Sequence, residues 1–179
     1  NAAIAGSGTF LRNDISKSEN GIVLDGGAST VVGNYIHDLL DGTSDPHYDG
    51  ISVQGSQNGV LIEGNTIESR DTSAIFIKND FGPINNVVVK GNYLTGDAGY
   101  QIYVDGRASG GAITNVQILN NYVEKGYYGY YSIENSSPSL SGNVELGQGG
   151  VPPALSGSSS TPVVVAPAPT TPTTPAQPS

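Results

Sequence analysis

The sequence predicts an all-β chain wound as a right-handed parallel β-helix, a solenoid of about 5–6 rungs followed by a disordered tail. Three observations predict it. An asparagine recurs inside one short apolar motif, a second alternating motif lies between its copies, and no stretch carries a convincing 3.6-residue apolar period.

The first motif reads Phe10-Leu11-Arg12-Asn13-Asp14-Ile15, then Val31-Val32-Gly33-Asn34-Tyr35-Ile36 and Ile62-Glu63-Gly64-Asn65-Thr66-Ile67. It continues as Val89-Lys90-Gly91-Asn92-Tyr93-Leu94 and Ile118-Leu119-Asn120-Asn121-Tyr122-Val123, with a worn copy at Leu140-Ser141-Gly142-Asn143-Val144. An apolar residue stands three before each asparagine. Another stands two after it in the first five copies, and Glu145 takes that place in the last. Successive asparagines are 21, 31, 27, 29 and 22 residues apart. Two or three short strands with polar turns fill such a period; a strand–helix–strand unit needs about 30 residues and an amphipathic helix. Stacked on its counterparts, each Asn amide can bond its neighbours as a ladder. Asparagine also tolerates the left-handed backbone region of a turn. The glycine before it at 33, 64, 91 and 142 suits a tight bend. These asparagines read as structural.

The second motif reads Gly21-Ile22-Val23-Leu24, Gly50-Ile51-Ser52-Val53, Ala74-Ile75-Phe76-Ile77 and Gln101-Ile102-Tyr103-Val104, with Tyr131-Ser132-Ile133 as a degenerate fifth copy. Alternation marks strands with one buried face. Aligning the copies on Ile22, Ile51, Ile75 and Ile102 points Leu24, Val53, Ile77 and Val104 inward as well. Two outward columns result. One is Val23, Ser52, Phe76, Tyr103; the next is Asp25, Gln54, Lys78, Asp105. The alignment predicts a cross-rung Lys78–Asp105 salt bridge, worth under ~1 kcal/mol if exposed. It also predicts an exposed aromatic platform of Phe76 and Tyr103, suited to stacking sugars. An ordinary solvated β-face is the alternative.

The longest spacing comes from the loop His37 to Asp49, which holds both histidines together with Asp38, Asp41, Asp45 and Asp49. Long loops on a rigid scaffold concentrate function. Asp41, Asp45 and Asp49 are candidate calcium ligands, although the regular spacing of a helix–loop–helix calcium site is absent. The bland alternative is a turn entering a strand, with Asp49-Gly50 as turn chemistry. Arg107, in the turn Asp105-Gly106-Arg107-Ala108-Ser109-Gly110-Gly111, either reaches the groove or is a solvated turn residue. The cluster Tyr127-Tyr128-Gly129-Tyr130-Tyr131 either stacks sugars or covers the last rungs.

Charge and composition bound the rest. The net charge is −9, and all 23 acidic and basic residues precede Gly147. An acidic domain argues against nucleic acid and against nonspecific binding to anionic membranes. An anionic sugar polymer remains compatible through one local cationic pocket. No apolar run approaches a membrane span, and no cysteine permits a disulfide. Eight of the eleven prolines fall between Pro152 and Pro178. The expected division is a β-helix domain over 1–146 and a Pro/Thr/Ser-rich tail over 147–179 that cannot bury enough surface to fold. Such a tail often links modules of secreted enzymes. The start at Asn1, inside what reads as a repeat, gives the expectation that N-terminal rungs or a cap are missing.

The repeat resembles the right-handed parallel β-helix superfamily of pectate lyases, polygalacturonases and mannuronan C5-epimerases, over about Phe10 to Leu146. That resemblance implies a substrate groove on the outer face of one parallel sheet. Asp45-Pro46-His47 is similar to the start of the Asp-Pro-His-Glu motif of the epimerases, with Tyr48 in place of the Glu. It implies a site where Asp45 and His47 act on a uronate ring. Epimerisation and β-elimination both begin by removing the proton beside a carboxylate. Lys78 or Arg107 is the candidate neutralising group and His47 the base. Tyr48 or Tyr103 is the donor, and Asp45 or Asp49 orients His47. Gln54, Phe76, Tyr103, Asp105 and Arg107 are the candidate substrate-binding residues. Hydrolysis would instead use two carboxylates among Asp45, Asp49 and Asp105. Two functions are therefore expected to compete. One is a secreted or cell-surface module acting on a uronate polysaccharide as a lyase or epimerase; the other is a non-catalytic β-helix adhesin or glycan-binding spacer.

Overall fold

A computed structural model describes residues 1–40 and 46–146. The described residues contain no helix, hence none long and apolar enough to cross a membrane. The expected tail over 147–179 lies outside them, as do Asp41 and Asp45.

The chain coils through three six-stranded parallel sheets. Sheet A stacks Ala2–Gly6 (β1), Asn20–Leu24 (β4), Asp49–Val53 (β7), Ser73–Lys78 (β10), Tyr100–Asp105 (β13) and Gly129–Glu134 (β16). Sheet B stacks Thr9–Leu11 (β2), Gly27–Val32 (β5), Gln57–Glu63 (β8), Ile84–Lys90 (β11), Ile113–Leu119 (β14) and Ser139–Ser141 (β17). Sheet C stacks Asp14–Ile15 (β3), Tyr35–Ile36 (β6), Thr66–Asp71 (β9), Tyr93–Ala98 (β12), Tyr122–Glu124 (β15) and Val144–Leu146 (β18). Each strand from β1 to β15 is hydrogen-bonded to the strand three places on, as a parallel β-helix requires.

Sequence alignment of the alternating motif matches the register. Ile22 pairs with Ile51, Ile51 with Ile75, Ile75 with Ile102, and Ile102 with Tyr131. All eight residues expected to face inward, from Ile22 to Val104, are fully buried. The motif also has a copy that the pattern missed: β1 sits below β4 with Ile4 against Ile22.

The asparagines form one file. The Nδ2 of Asn13 donates to Oδ1 of Asn34, Asn34 to Asn65, Asn65 to Asn92, Asn92 to Asn121 and Asn121 to Asn143, at 2.7–2.9 Å. Each Oδ1 also accepts the backbone N–H of the asparagine below it. From Asn34 on, each Nδ2 gives its second proton to the carbonyl of the apolar residue three before the previous asparagine, Phe10, Val31, Ile62, Val89 and Ile118 in turn. Asn34, Asn65, Asn92, Asn121 and Asn143 are buried, and the ladder satisfies their amides.

One detail corrects the sequence reading. The left-handed backbone belongs to the residue before each ladder asparagine and not to the asparagine itself. Arg12, Gly33, Gly64, Gly91, Asn120 and Gly142 have φ between 53° and 66°. The ladder asparagines themselves are outside that region, and their amides bond along the stack.

Candidate functional site

The outer face of sheet A carries a cleft of about 220 Å³ lined by His47, Asp49, Ser52, Gln54, Phe76, Lys78 and Asp80. Register builds it. Ser52 and Phe76 are Cα partners on adjacent rungs, as are Phe76 and Tyr103. The same β10–β13 pairing sets Lys78 beside Asp105.

Asp49 is the anchor. It opens β7 and is buried, with Oδ1 accepting a 2.6 Å hydrogen bond from the Ser73 hydroxyl. Its backbone N–H donates to Oδ1 of Asn20 at 3.1 Å. Its other oxygen, Oδ2, lies 3.3 Å from Nδ1 of His47. The His47 side chain is exposed, and its backbone N–H donates to Glu19 at 3.1 Å. Among the described residues, Nε2 of His47 has no hydrogen-bond partner. Hydrogen bonding to Asp49 raises the His47 pKa above the ordinary histidine value, against burial and the nearby charge of Lys78.

The imidazole stacks on Phe76 with ring centroids 5.7 Å apart. Tyr103 meets Phe76 edge-on at 5.1 Å. Both rings are half-buried, not the exposed platform expected, because they cover each other along the column. Burial pushes the Tyr103 hydroxyl above the ordinary tyrosine range, so it keeps its proton.

Lys78 differs from expectation. Its ammonium is 3.2 Å from Asp80, not paired with Asp105, and lies 5.8 Å from the Phe76 centroid. Lys78 ends β10 and Asp80 sits in the bend just after it, so the ion pair forms locally along the chain. Asp105 is buried and taken by Arg107, whose Nε and Nη2 reach its two oxygens at 2.9 and 2.8 Å. That fork, against the cost of burial, holds the Asp105 carboxyl below the ordinary carboxylate range. Arg107 is thereby committed to its own turn and is not part of the cleft lining.

Tyr48 is also placed differently from the expected donor. It packs in the hydrophobic core with the Arg70 guanidinium 5.0 Å from its ring centroid. Alternation counted back from inward-facing Ile51 and Val53 would turn Tyr48 outward; Tyr48 and all five β7 residues are buried, so the two-residue pattern does not extend through the loop–strand junction. Asp45 and Asp41 lie outside the described residues. Among the described residues, no group of three or more His, Asp or Glu side chains stands close enough to hold a metal ion. Asp49 has both oxygens committed to Ser73 and His47.

The two histidines of the loop part company. His37 lies on the sheet C side, its Nε2 2.8 Å from Asp14 and its Nδ1 3.0 Å from Asp38, stacked on Tyr35 at 4.1 Å. Hydrogen bonding to Asp14 raises its pKa, opposed by burial and reinforced by Asp38.

Sequence reasoning missed Ser73, Asn20 and Asp80. Ser73 was within reach, because it is the direct cross-rung partner of Asp49 and precedes the aligned copy Ala74-Ile75 by one residue. It also missed Asn79, whose buried amide donates to the carbonyls of Ala108 at 2.9 Å and of Gly111, pinning the 106–111 turn over the next rung.

No curated protein and no solved structure matches the chain. The family model described as "Right handed beta helix region" matches residues 20–151. With its three parallel sheets and asparagine file, the chain belongs to this right-handed β-helix family.

Proposed function

We propose that this β-helix module binds a uronate-containing polysaccharide in the sheet A cleft and removes the proton beside the sugar carboxylate, as a lyase or C5-epimerase does. The observation that carries the reading is His47 beside buried Asp49, in one cleft with Lys78 and an aromatic floor.

Each residue then has a role that follows from its chemistry. Asp49 accepts from Nδ1–H of the neutral imidazole, which leaves the Nε2 lone pair as the base. Ser73 and Asn20 fix Asp49 and so fix the ring. A substrate carboxylate entering beside Lys78 takes the place of Asp80, and the ammonium stabilises the negative charge that develops when the adjacent proton leaves. Phe76 supplies an apolar face for the pyranose ring. Tyr103, which keeps its proton and meets Phe76 edge-on, is the candidate donor. A polymer substrate carries a location with it: the module would work at the cell surface or in the medium.

The test is incubation with pectate and with alginate. A lyase releases unsaturated products that absorb near the ultraviolet edge; an epimerase changes the proton NMR spectrum of the polymer. Loss of either signal in both His47→Ala and Lys78→Ala supports the reading, and absence of both signals in the wild type rejects catalysis. A second reading, non-catalytic glycan binding, is favoured by the Lys78–Asp80 pair and by Tyr48 standing in the core where the epimerase motif has a glutamate. Binding without turnover would select it.

A further inference from the structure

Beyond Phe76 on the cleft floor the aromatic contacts continue through Tyr103, which lies outside the cleft lining. Tyr103 meets Tyr100 edge-on at 5.2 Å, Tyr100 lies 5.6 Å from Tyr128, and Tyr128 meets Tyr127 at 4.8 Å. The rings run from the β10 rung toward the β16 rung, two rung spacings or about 10 Å along the helix axis. Tyr127 and Tyr128 are 83% and 67% exposed, so they do little to cover the core.

Their turn is nonetheless held in place. Tyr127 N–H donates to the carbonyl of Ala98 at 2.7 Å, Tyr128 N–H to Gly99 at 2.9 Å, and Gly126 N–H to Gly129 at 3.1 Å. A side chain at Gly126 would put its Cβ 2.6 Å from the Ala98 carbonyl oxygen and 2.8 Å from that of Gly99. Glycine is what lets the turn press against the rung below and present both tyrosines outward. Two large aromatic side chains on an anchored turn form a preorganised surface, and preorganisation lowers the entropic cost of binding.

We propose that Tyr100, Tyr128 and Tyr127 form a stacking platform for the sugars that follow the one in the cleft. The occupant is the same uronate polysaccharide, passing from the cleft along β13 and on toward the β16 rung, and the proposal rests on the reading of the cleft given above. The rings follow one another in a single file of pairwise contacts from Phe76 to Tyr127, which suits a linear chain better than a broad protein face. Tyrosine offers both a ring for the C–H face of a pyranose and a hydroxyl for its oxygens.

The experiment compares the full chain with the Tyr127→Ala/Tyr128→Ala double variant by calorimetric titration, using a di- and a hexasaccharide of galacturonate and of mannuronate/guluronate. Both positions are exposed, and an unchanged thermal midpoint confirms the fold. The proposal expects the double variant to bind the hexasaccharide about tenfold more weakly while the disaccharide is unaffected. Equal hexasaccharide affinity in wild type and variant overturns the platform and leaves the cleft reading standing. Wild-type protein that binds none of the four oligosaccharides overturns both.

Discussion

Nδ1 of surface His47 lies 3.3 Å from Oδ2 of buried Asp49. The pair joins the fold to the site, because Asp49 is both the first residue of a sheet A strand and the partner that orients the candidate base. Its second oxygen is occupied by Ser73 one rung on, so the rung stacking itself sets the position of the imidazole.

A rate profile follows from this arrangement. His47 must be neutral to act as a base, and its pKa is raised by Asp49. Turnover of pectate or alginate should therefore increase with pH through an inflection above about 6.5, the ordinary histidine value. Asp49→Asn should move the inflection down and lower the plateau. Initial rates across pH for the two proteins check it; an unmoved inflection contradicts the assignment of His47.

Lys78 should matter for anions and not for folding. Lys78→Met removes the cleft ammonium and leaves a chain able to cover Phe76. Affinity for an oligouronate should fall about tenfold or more, since a hydrogen bond to a charged group contributes roughly 1.5–3 kcal/mol. The urea midpoint should stay within error, because exposed ion pairs contribute little. Arg107→Ala is the matching control, since Arg107 is tied to Asp105 and should leave oligouronate affinity unchanged.

The ladder makes a prediction about stability. Asn92 donates to Ile62 O and Asn121 Oδ1 and accepts two protons from Asn65. Asn92→Ala strips buried partners on both neighbouring rungs, each unsatisfied group costing about 1–3 kcal/mol. A loss of roughly 3 kcal/mol or more is expected from urea denaturation. Asn92→Asp should also destabilise, because a carboxylate cannot donate to Ile62 and Asn121.

His37 gives the opposite pH sign from an acidic group. Its folded pKa is raised by Asp14 and Asp38, so its contribution to stability is fully present below the unfolded value of about 6.5. That contribution disappears as pH rises through the folded pKa. The stability difference between wild type and His37→Gln should therefore be larger below about pH 6 than above about pH 8.

How much of this was legible in sequence divides along physical lines. Strand alternation and the asparagine period gave the register because a β-helix repeats one local environment on every rung, and that repetition is visible as spacing. The outward columns followed from the same register, including Phe76 beside Tyr103. What failed was the choice of partner within a column. Lys78 turned to Asp80 and Asp105 to Arg107, both two residues away along the chain, because local pairs need no cross-rung reach. Tyr48 is in the core although alternation counted back from Ile51 and Val53 would turn it outward, because the strand pattern does not extend into the loop that precedes β7. A single motif read in isolation carries no such information. Nor did the loop's length show that His37 and His47 end on different faces.

That separation supplies the most direct test of the central claim, that the sheet A cleft is where an acidic sugar binds. The chain has two histidines, one in the cleft and one on the sheet C side, so their imidazole NMR resonances report the two faces independently. Titration with oligogalacturonate or oligoalginate should shift the His47 resonances and leave those of His37 in place. Shifts confined to His37, or no shift at either ring with both sugars, would contradict the account.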